Sequence, residues 1–306
     1  MRALFSGLFI CLFPFPDLAQ TSQTFSEKEL IYGRKDGMAL TMIMLSPKRS
    51  LNGKAIISMV SGGWYSQYDW VQYNTRNSEI FLQRGYTVFL VMHSGRPMFT
   101  IVDAIDDAKR AVRFVRYHAS EYKIDPGHIG ITGTSSGAHL SITVATDDDK
   151  PDVASQDPVD RVSSRVQAVA CFYPPSDFLH WGNMDVDPMN KVILDQADAY
   201  SAFEFKEWEP IHKHFVLITD KQKLLWISRQ ISPFYQISPD DPPILIAHGT
   251  ADLVVPFSQS QRFIEKLKEE KIPCNLLVKE GGGHGEWKDE YVYEKSFADW
   301  FDKYLK

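Results

Sequence analysis

Ser135 lies in Gly133-Thr134-Ser135-Ser136-Gly137, between the β-branched run at 128–132 and a helix-like stretch at 138–144. A serine flanked by glycines two positions away, leaving a buried strand and opening a helix, has the pattern of a nucleophile elbow. The glycines permit a turn too tight for neighbours that carry a Cβ. Ser135 is then exposed at the sheet edge, and the Ser136 amide at the helix N-terminus points to the same place. A serine hydroxyl becomes a competent nucleophile when an imidazole takes its proton and a carboxylate fixes the tautomer of that imidazole. Asp252 follows the apolar run at 243–247, and His284 follows the run at 275–279 in Glu280-Gly281-Gly282-Gly283-His284-Gly285. Three glycines give the backbone a path that carries an imidazole over a sheet edge. The expected chemistry is acyl transfer with Ser135 as nucleophile, His284 as base and Asp252 as acid.

Other residues compete for these roles. Asp177, in Tyr173-Pro174-Pro175-Ser176-Asp177, also follows a strand-like run and is the second choice for the acid. His248 and His139 are weaker candidates for the base. His139 sits one helical turn after Ser135, pointing into the domain, and reads as a packing or hydrogen-bonding residue. A second group of oxyanion donors is expected in Ser61-Gly62-Gly63-Trp64, after the apolar run at 55–60, where a glycine pair lets backbone N–H groups face a carbonyl. Gly63 and Trp64 are the expected donors, joined by Ser136.

These residues must be held by a regular scaffold. From Ala55 onward strand-like and helix-like segments alternate, which implies a mostly parallel sheet covered on both faces. Strands are expected at 55–60, 86–91, 128–132, 166–172, 243–247 and 275–279, and helices at about 102–120, 137–146, 258–271 and 286–304. Asp147-Asp148-Asp149 closes the helix after the elbow and reads as a solvated acidic run. The alternation breaks at about 178–240, a stretch carrying Trp181, Met184, Met189, Tyr200, Phe203, Phe205, Trp208, Phe215 and Trp226. Its aromatics either line an acyl or aryl pocket or form a small core of their own. His212-Lys213-His214 lacks acidic or thiol company and reads as a surface pair, so no metal site is expected.

The order Ser135, Asp252, His284 is that of α/β-hydrolases. The chain resembles the esterase and lipase branch of that superfamily, and within it the secreted bacterial acetyl and feruloyl esterase-like (BD-FAE-like) group, which is related to prolyl-oligopeptidase catalytic domains. The resemblance runs from about Ile31 to the C-terminus. It includes Tyr32-Gly33-Arg34-Lys35-Asp36-Gly37 as an opening strand pair, the helix-like segment at 106–116, Ile124-Asp125-Pro126-Gly127-His128 before the elbow strand, and Asp252-Leu253-Val254-Val255-Pro256 as the acid loop. It implies an eight-stranded sheet with a helical lid inserted at about 178–240. It also implies a cofactor-independent carboxylesterase acting on acetyl- or feruloyl-type esters, either small molecules or linked to polysaccharides. The alternatives are a serine peptidase of prolyl-oligopeptidase type without a propeller and a hydrolase-fold binding protein that has lost catalysis. One departure stands out: the family it resembles commonly carries His-Gly-Gly-Gly-Trp or His-Gly-Gly in the oxyanion loop, and this chain reads Val60-Ser61-Gly62-Gly63-Trp64, without the histidine.

The 306 residues suit one α/β domain with an insertion, and 44% hydrophobic content supports a sizeable core. A net charge of −6 gives no electrostatic case for nucleic acid. Arg2 followed by the apolar run at 3–13 is too short to span a bilayer and suits a signal peptide over residues 1–20, so the protein is expected to be secreted or periplasmic, with no stable membrane span in the mature chain. Of the three cysteines, Cys11 falls in that segment. Cys171 and Cys274 lie on strands that the family order separates by one other. Strands two apart lie roughly 9 to 10 Å from each other, so two free, buried thiols are expected.

Overall fold

All six strand-like runs form strands. The computed structural model describes residues 24–181, 184–185, 198–285 and 287–306. The expected signal peptide at 1–20 and Met189 of the insertion lie outside these residues. The chain opens with β1 (Phe25–Lys35) and β2 (Met38–Pro47), a hairpin turning on Asp36 and Gly37, both at positive φ, as the twist of paired strands favours. The core strands are β3 (Ala55–Met59), β4 (Thr87–Val91), β5 (Ile129–Thr134) and β6 (Ala168–Phe172). The short pairs β7 (His180–Trp181) with β8 (Met184–Asp185) and β9 (Lys206–Glu209) with β10 (His214–Leu217) belong to the insertion. Then come β11 (Ile244–Gly249) and β12 (Cys274–Lys279). The eight-stranded sheet has the order β1-β2-β4-β3-β5-β6-β11-β12, antiparallel at its first two pairings and parallel at the rest.

Alternation along each strand divides the core between the two faces. In β3, Ala55, Ile57 and Met59 face one hydrophobic cluster, while Ile56 faces the other. The first face packs α3 (Ile101–Tyr117), α4 (Ser136–Thr146) and α6 (Ser258–Glu269). The opposite face packs α1 (Val71–Asn77), α2 (Glu79–Gln83) and α7 (Glu290–Tyr304). Thr100 and Asp103 form a capping box at the start of α3, which fixes where that helix begins. No helix among the described residues is long and apolar enough to cross a membrane.

Several expectations need correction. The insertion was expected to be helical, but its described residues combine the β7–β8 and β9–β10 pairs with one longer helix, α5 (Lys221–Gln230). In β9–β10, Trp208 opposes Phe215 across the strands and their rings lie 5.3 Å apart, a cross-strand aromatic pair that stabilises a hairpin. The acidic run 147–149 is not simply solvated. Asp149 is buried, receives Arg113 at 2.8 Å and accepts from the amide and hydroxyl of Ser164. Burial alone would raise its pKa, but these hydrogen bonds together with Ser163 bring it down to about 2. Both cysteines are free, as expected; Cys171 is buried, whereas Cys274 is only half-buried because β12 is an edge strand. His212 does have acidic company: Glu209 Oε2 lies 2.9 Å from its Nδ1.

Candidate active site

The elbow is built by close approach. Ser135 adopts φ 52° and ψ −119°, a conformation a non-glycine residue holds only when its surroundings enforce it. A Cβ on Gly133 would lie 2.5 Å from the Gly137 backbone, and one on Gly137 would lie 2.7 Å from the Met59 carbonyl oxygen. Both positions therefore require glycine, and the turn delivers Ser135 to the C-terminal end of the sheet with α4 starting behind it.

The three residues selected from the sequence meet there. His284 Nε2 lies 2.9 Å from Ser135 Oγ, and His284 Nδ1 lies 2.8 Å from Asp252 Oδ2. A carboxylate can only accept, so Nδ1 carries the proton and Nε2 is left free to accept the serine proton. Asp252 Oδ1 accepts from the amides of Val254 at 2.9 Å and Val255 at 2.8 Å. Burial pushes the Asp252 pKa upward, but hydrogen bonds from His248, His284 and the Val255 amide outweigh it and hold the carboxyl well below the usual range. Asp252 is thus a fixed anion at neutral pH. The Tyr173 ring lies against the His284 imidazole at 4.6 Å between centroids, and the Trp287 indole N–H donates to the Gly283 carbonyl beneath it.

The competing candidates are engaged elsewhere. Asp177 is buried and binds the Leu179 amide, His180 Nδ1 at 3.0 Å, Tyr235 Oη at 3.1 Å and Arg262 Nη1 at 2.9 Å, a hub that anchors the insertion to α6. His248 is fully buried; its Nδ1 faces Ser260 Oγ at 2.6 Å, and its Nε2 lies 3.0 Å from the Val255 carbonyl and 3.3 Å from Asp252 Oδ2. With two acceptors opposite Nε2, the proton sits there, and His248 becomes a second donor to Asp252.

His139 is the packing residue expected. Its Nδ1 accepts from Trp64 Nε1 at 3.1 Å and its Nε2 donates to the Ile231 carbonyl at 2.8 Å. Burial brings its pKa down to about 4, against the pull of the Ile231 hydrogen bond. Because the unfolded chain takes up this proton near pH 6.5 and the folded one does not, stability present above about 6.5 is lost as pH falls toward 4. His93, also buried and lowered by burial, acts in the same direction. Glu294, pushed up to about 7 by burial, gains stability over the same window, so His139 is read by comparison: between pH 7 and pH 5 the urea unfolding free energy of wild type should change less favourably than that of His139→Gln, and an equal change in the variant would remove His139 as a source. The slope from one such group is at most about 1.4 kcal/mol per pH unit.

The loop in which oxyanion donors are expected turns on Gly63 and Trp64, both at φ 54°. The Gly62 and Tyr65 amides are taken by each other's carbonyls at 2.9 Å. Arg96 Nε donates to the Gly63 carbonyl at 3.0 Å, which turns the Trp64 N–H the other way across the planar peptide. Trp64 is buried among His139, Phe178 and Phe203, with ring centroids 5.1 to 5.7 Å away. Of these, Trp64 and Phe178 border a cavity of about 400 Å³ that also touches Ser135, Ser136, His284, Trp181, Val254 and Val255. Of the insertion's aromatics, Trp181 lines the cavity, Phe203 and Phe205 join the core, and Trp208, Phe215 and Trp226 face solvent. Phe203 and Phe205 thus pack into the main core of the domain and not into a small core of the insertion's own.

A mostly parallel eight-stranded sheet with helices on both faces, and a serine elbow at its C-terminal end, is the α/β-hydrolase fold. The chain belongs to the BD-FAE family, whose model matches residues 42–267. Among solved structures, a truncated form of a carbohydrate esterase from gut microbiota is 26% identical, with a TM-score of 0.74 over 93% of this chain and 98% of that one. Esterase 2 of Thermogutta terrifontis is 26% identical, with a TM-score of 0.67 over 90% and 93% of the two chains, and has also been solved with butyrate bound. A probable carboxylic ester hydrolase of Mycobacterium tuberculosis, LipM, is 28% identical over 240 residues, 78% of this chain and 50% of LipM. The chain spans about half the length of that curated relative.

Proposed function

We propose that the protein hydrolyses carboxylic esters through an acyl-enzyme on Ser135. The observation that best supports this reading is the unbroken hydrogen-bond chain Ser135 Oγ, His284, Asp252 at the edge of the cavity. Ser135 Oγ attacks the ester carbonyl carbon while His284 Nε2 takes its proton, and the carbonyl oxygen becomes an oxyanion facing the amides of Gly63, Trp64 and Ser136. His284 then protonates the departing alkoxide, leaving the acyl group on Ser135. Water, deprotonated by the same Nε2, attacks the acyl carbon; the acid leaves and Ser135 regains its proton. Asp252 remains ionised throughout and stabilises the imidazolium.

The lining favours a short acyl chain. Trp64, Phe178 and Trp181 are large and buried, and the butyrate complex of the T. terrifontis relative is consistent with that size class. On p-nitrophenyl esters of graded length, kcat/KM should peak at short chains. Trp181→Ala, which removes part of the wall, should raise the octanoyl-to-butyryl ratio roughly tenfold. An unchanged ratio would place the acyl group elsewhere. Acetyl or feruloyl esters on polysaccharides are the substrates we favour, encountered outside the cytoplasm after export directed by the segment at 1–20. The same assay extended to methyl ferulate, acetylated xylan and a proline-directed peptide amide tests this: peptide cleavage exceeding ester cleavage would replace the esterase reading with the peptidase one.

A further inference from the structure

Ser61, in the loop after β3, meets a buried histidine that comes from another strand. Strands β3 and β4 run parallel with Met59 beside Val91. Two residues past each, Ser61 and His93 are adjacent, with Ser61 Oγ 2.8 Å from His93 Nε2. Ser61 Oγ is also 2.8 Å from Ser136 Oγ, on the residue whose amide opens α4 behind the elbow. His93 Nδ1 lies 2.8 Å from the Ser94 carbonyl. Ser94 in turn gives its amide, at 2.8 Å, and its hydroxyl to Asp107 Oδ2, and Lys35 Nζ sits 2.8 Å from Asp107 Oδ1. From Ser136 to Asp107 every member is buried.

The proton positions follow from the partners. A carbonyl can only accept, so His93 Nδ1 carries hydrogen; a neutral imidazole then presents a bare Nε2. Ser61 must donate to that nitrogen, which leaves its lone pairs to receive the Ser136 hydroxyl. The chain of donors runs in one direction, from Ser136 through Ser61 to His93 and on to the Ser94 carbonyl. Each hydroxyl has a single satisfied orientation. The two arms of the oxyanion hole, the loop 61–64 and the N-terminus of α4, are tied together at their hydroxyls on one side, and by Trp64 Nε1 to His139 on the other.

We infer that His93 is a positioning residue for the oxyanion hole, acting through Ser61 and Ser136 to hold the Gly63, Trp64 and Ser136 amides in register. It touches no substrate. This rests on the reading that Ser135 hydrolyses esters. A donor set that is slightly misplaced loses transition-state binding more than ground-state binding, so the effect belongs in kcat.

The test is a set of variants, Ser61→Ala, His93→Ala, His93→Gln and the Ser61→Ala/His93→Ala double variant, assayed on p-nitrophenyl acetate and for affinity toward a trifluoromethyl ketone. Either Ala variant should lower kcat by roughly 10- to 100-fold with KM within about threefold, and weaken ketone binding in step. The double variant should be no worse than the poorer single one, because both residues act in one chain. His93→Gln, whose amide oxygen can still accept from Ser61, should recover part of kcat. Ser61→Ala deletes one oxygen and no backbone contact, so it decides the matter alone if His93→Ala does not fold. A folded Ser61→Ala protein with wild-type kcat and ketone affinity would overturn the inference, as would additive losses in the double variant. A wild-type protein inactive on every ester would instead remove the esterase reading on which the inference rests.

Discussion

Replacing Ser135 with Ala should lower ester turnover by roughly 10⁴- to 10⁶-fold while leaving the fold intact. The size follows from the mechanism, because no other hydroxyl is hydrogen-bonded to His284 Nε2 among the described residues. What remains is the hydrolysis that the oxyanion donors and substrate binding support alone. The fold should survive, since Ser135 makes no side-chain cap to α4 and the change removes one oxygen at the edge of the cavity. Circular dichroism and a melting curve within a few degrees of wild type, together with kcat/KM on p-nitrophenyl acetate, give the result. A folded variant retaining a tenth or more of wild-type activity would move the nucleophile to another residue.

Asp252→Asn should cost about 10⁴ in kcat, whereas Asp177→Asn should cost less than about tenfold in kcat and act mainly on stability. The amide at position 252 would offer a donor or a weaker acceptor to His284 Nδ1 and let the imidazole take the wrong tautomer, with His248 Nε2 competing for the same oxygen. At position 177 the loss falls on Arg262, Tyr235 and His180, which belong to the anchoring of the insertion. Comparing kcat and melting temperature for both variants separates the roles. If Asp177→Asn proved the more damaging to kcat at unchanged melting temperature, Asp252 would be reduced to a loop residue.

The site was legible because its parts are encoded locally. Glycines at 133 and 137, forced by contacts under 3 Å, and the strand-then-helix pattern around them pointed to Ser135 before any long-range contact was known. Asp252 and His284 were found by the same rule, a polar residue just past an apolar run. The alternation of strand and helix similarly disclosed the sheet, though not that β12 is its edge, which leaves Cys274 half-buried where a buried thiol was expected. The residues that were missed depend on register. His93 is 42 positions from Ser135 with no local mark; only the parallel pairing of β3 with β4, which puts Met59 beside Val91, brings it to Ser61. Arg96, which reaches the Gly63 carbonyl from 33 positions away, carries no local mark either, whereas the donor role of His248 depends on the loop 249–255 folding back over it. Asp149 was misread because a run of three aspartates looks solvated, while Arg113 and Ser164, which bury the last of them, come from other parts of the chain. The insertion was read as helical from analogy, and the cross-strand match of Trp208 with Phe215 was the local signal for a hairpin.

In the proposed mechanism the acyl group passes through Ser135. Mixing the protein with excess p-nitrophenyl acetate, quenching in acid and mapping the peptides by mass spectrometry tests it directly. Catalysis through Ser135 requires an acetyl group on the peptide carrying Ser135, confirmed at that residue by fragmentation, absent from Ser135→Ala, and labelling by a fluorophosphonate at the same serine alone. Acetylation or phosphonylation at a different serine, or ester turnover in Ser135→Ala equal to that of wild type, would contradict it.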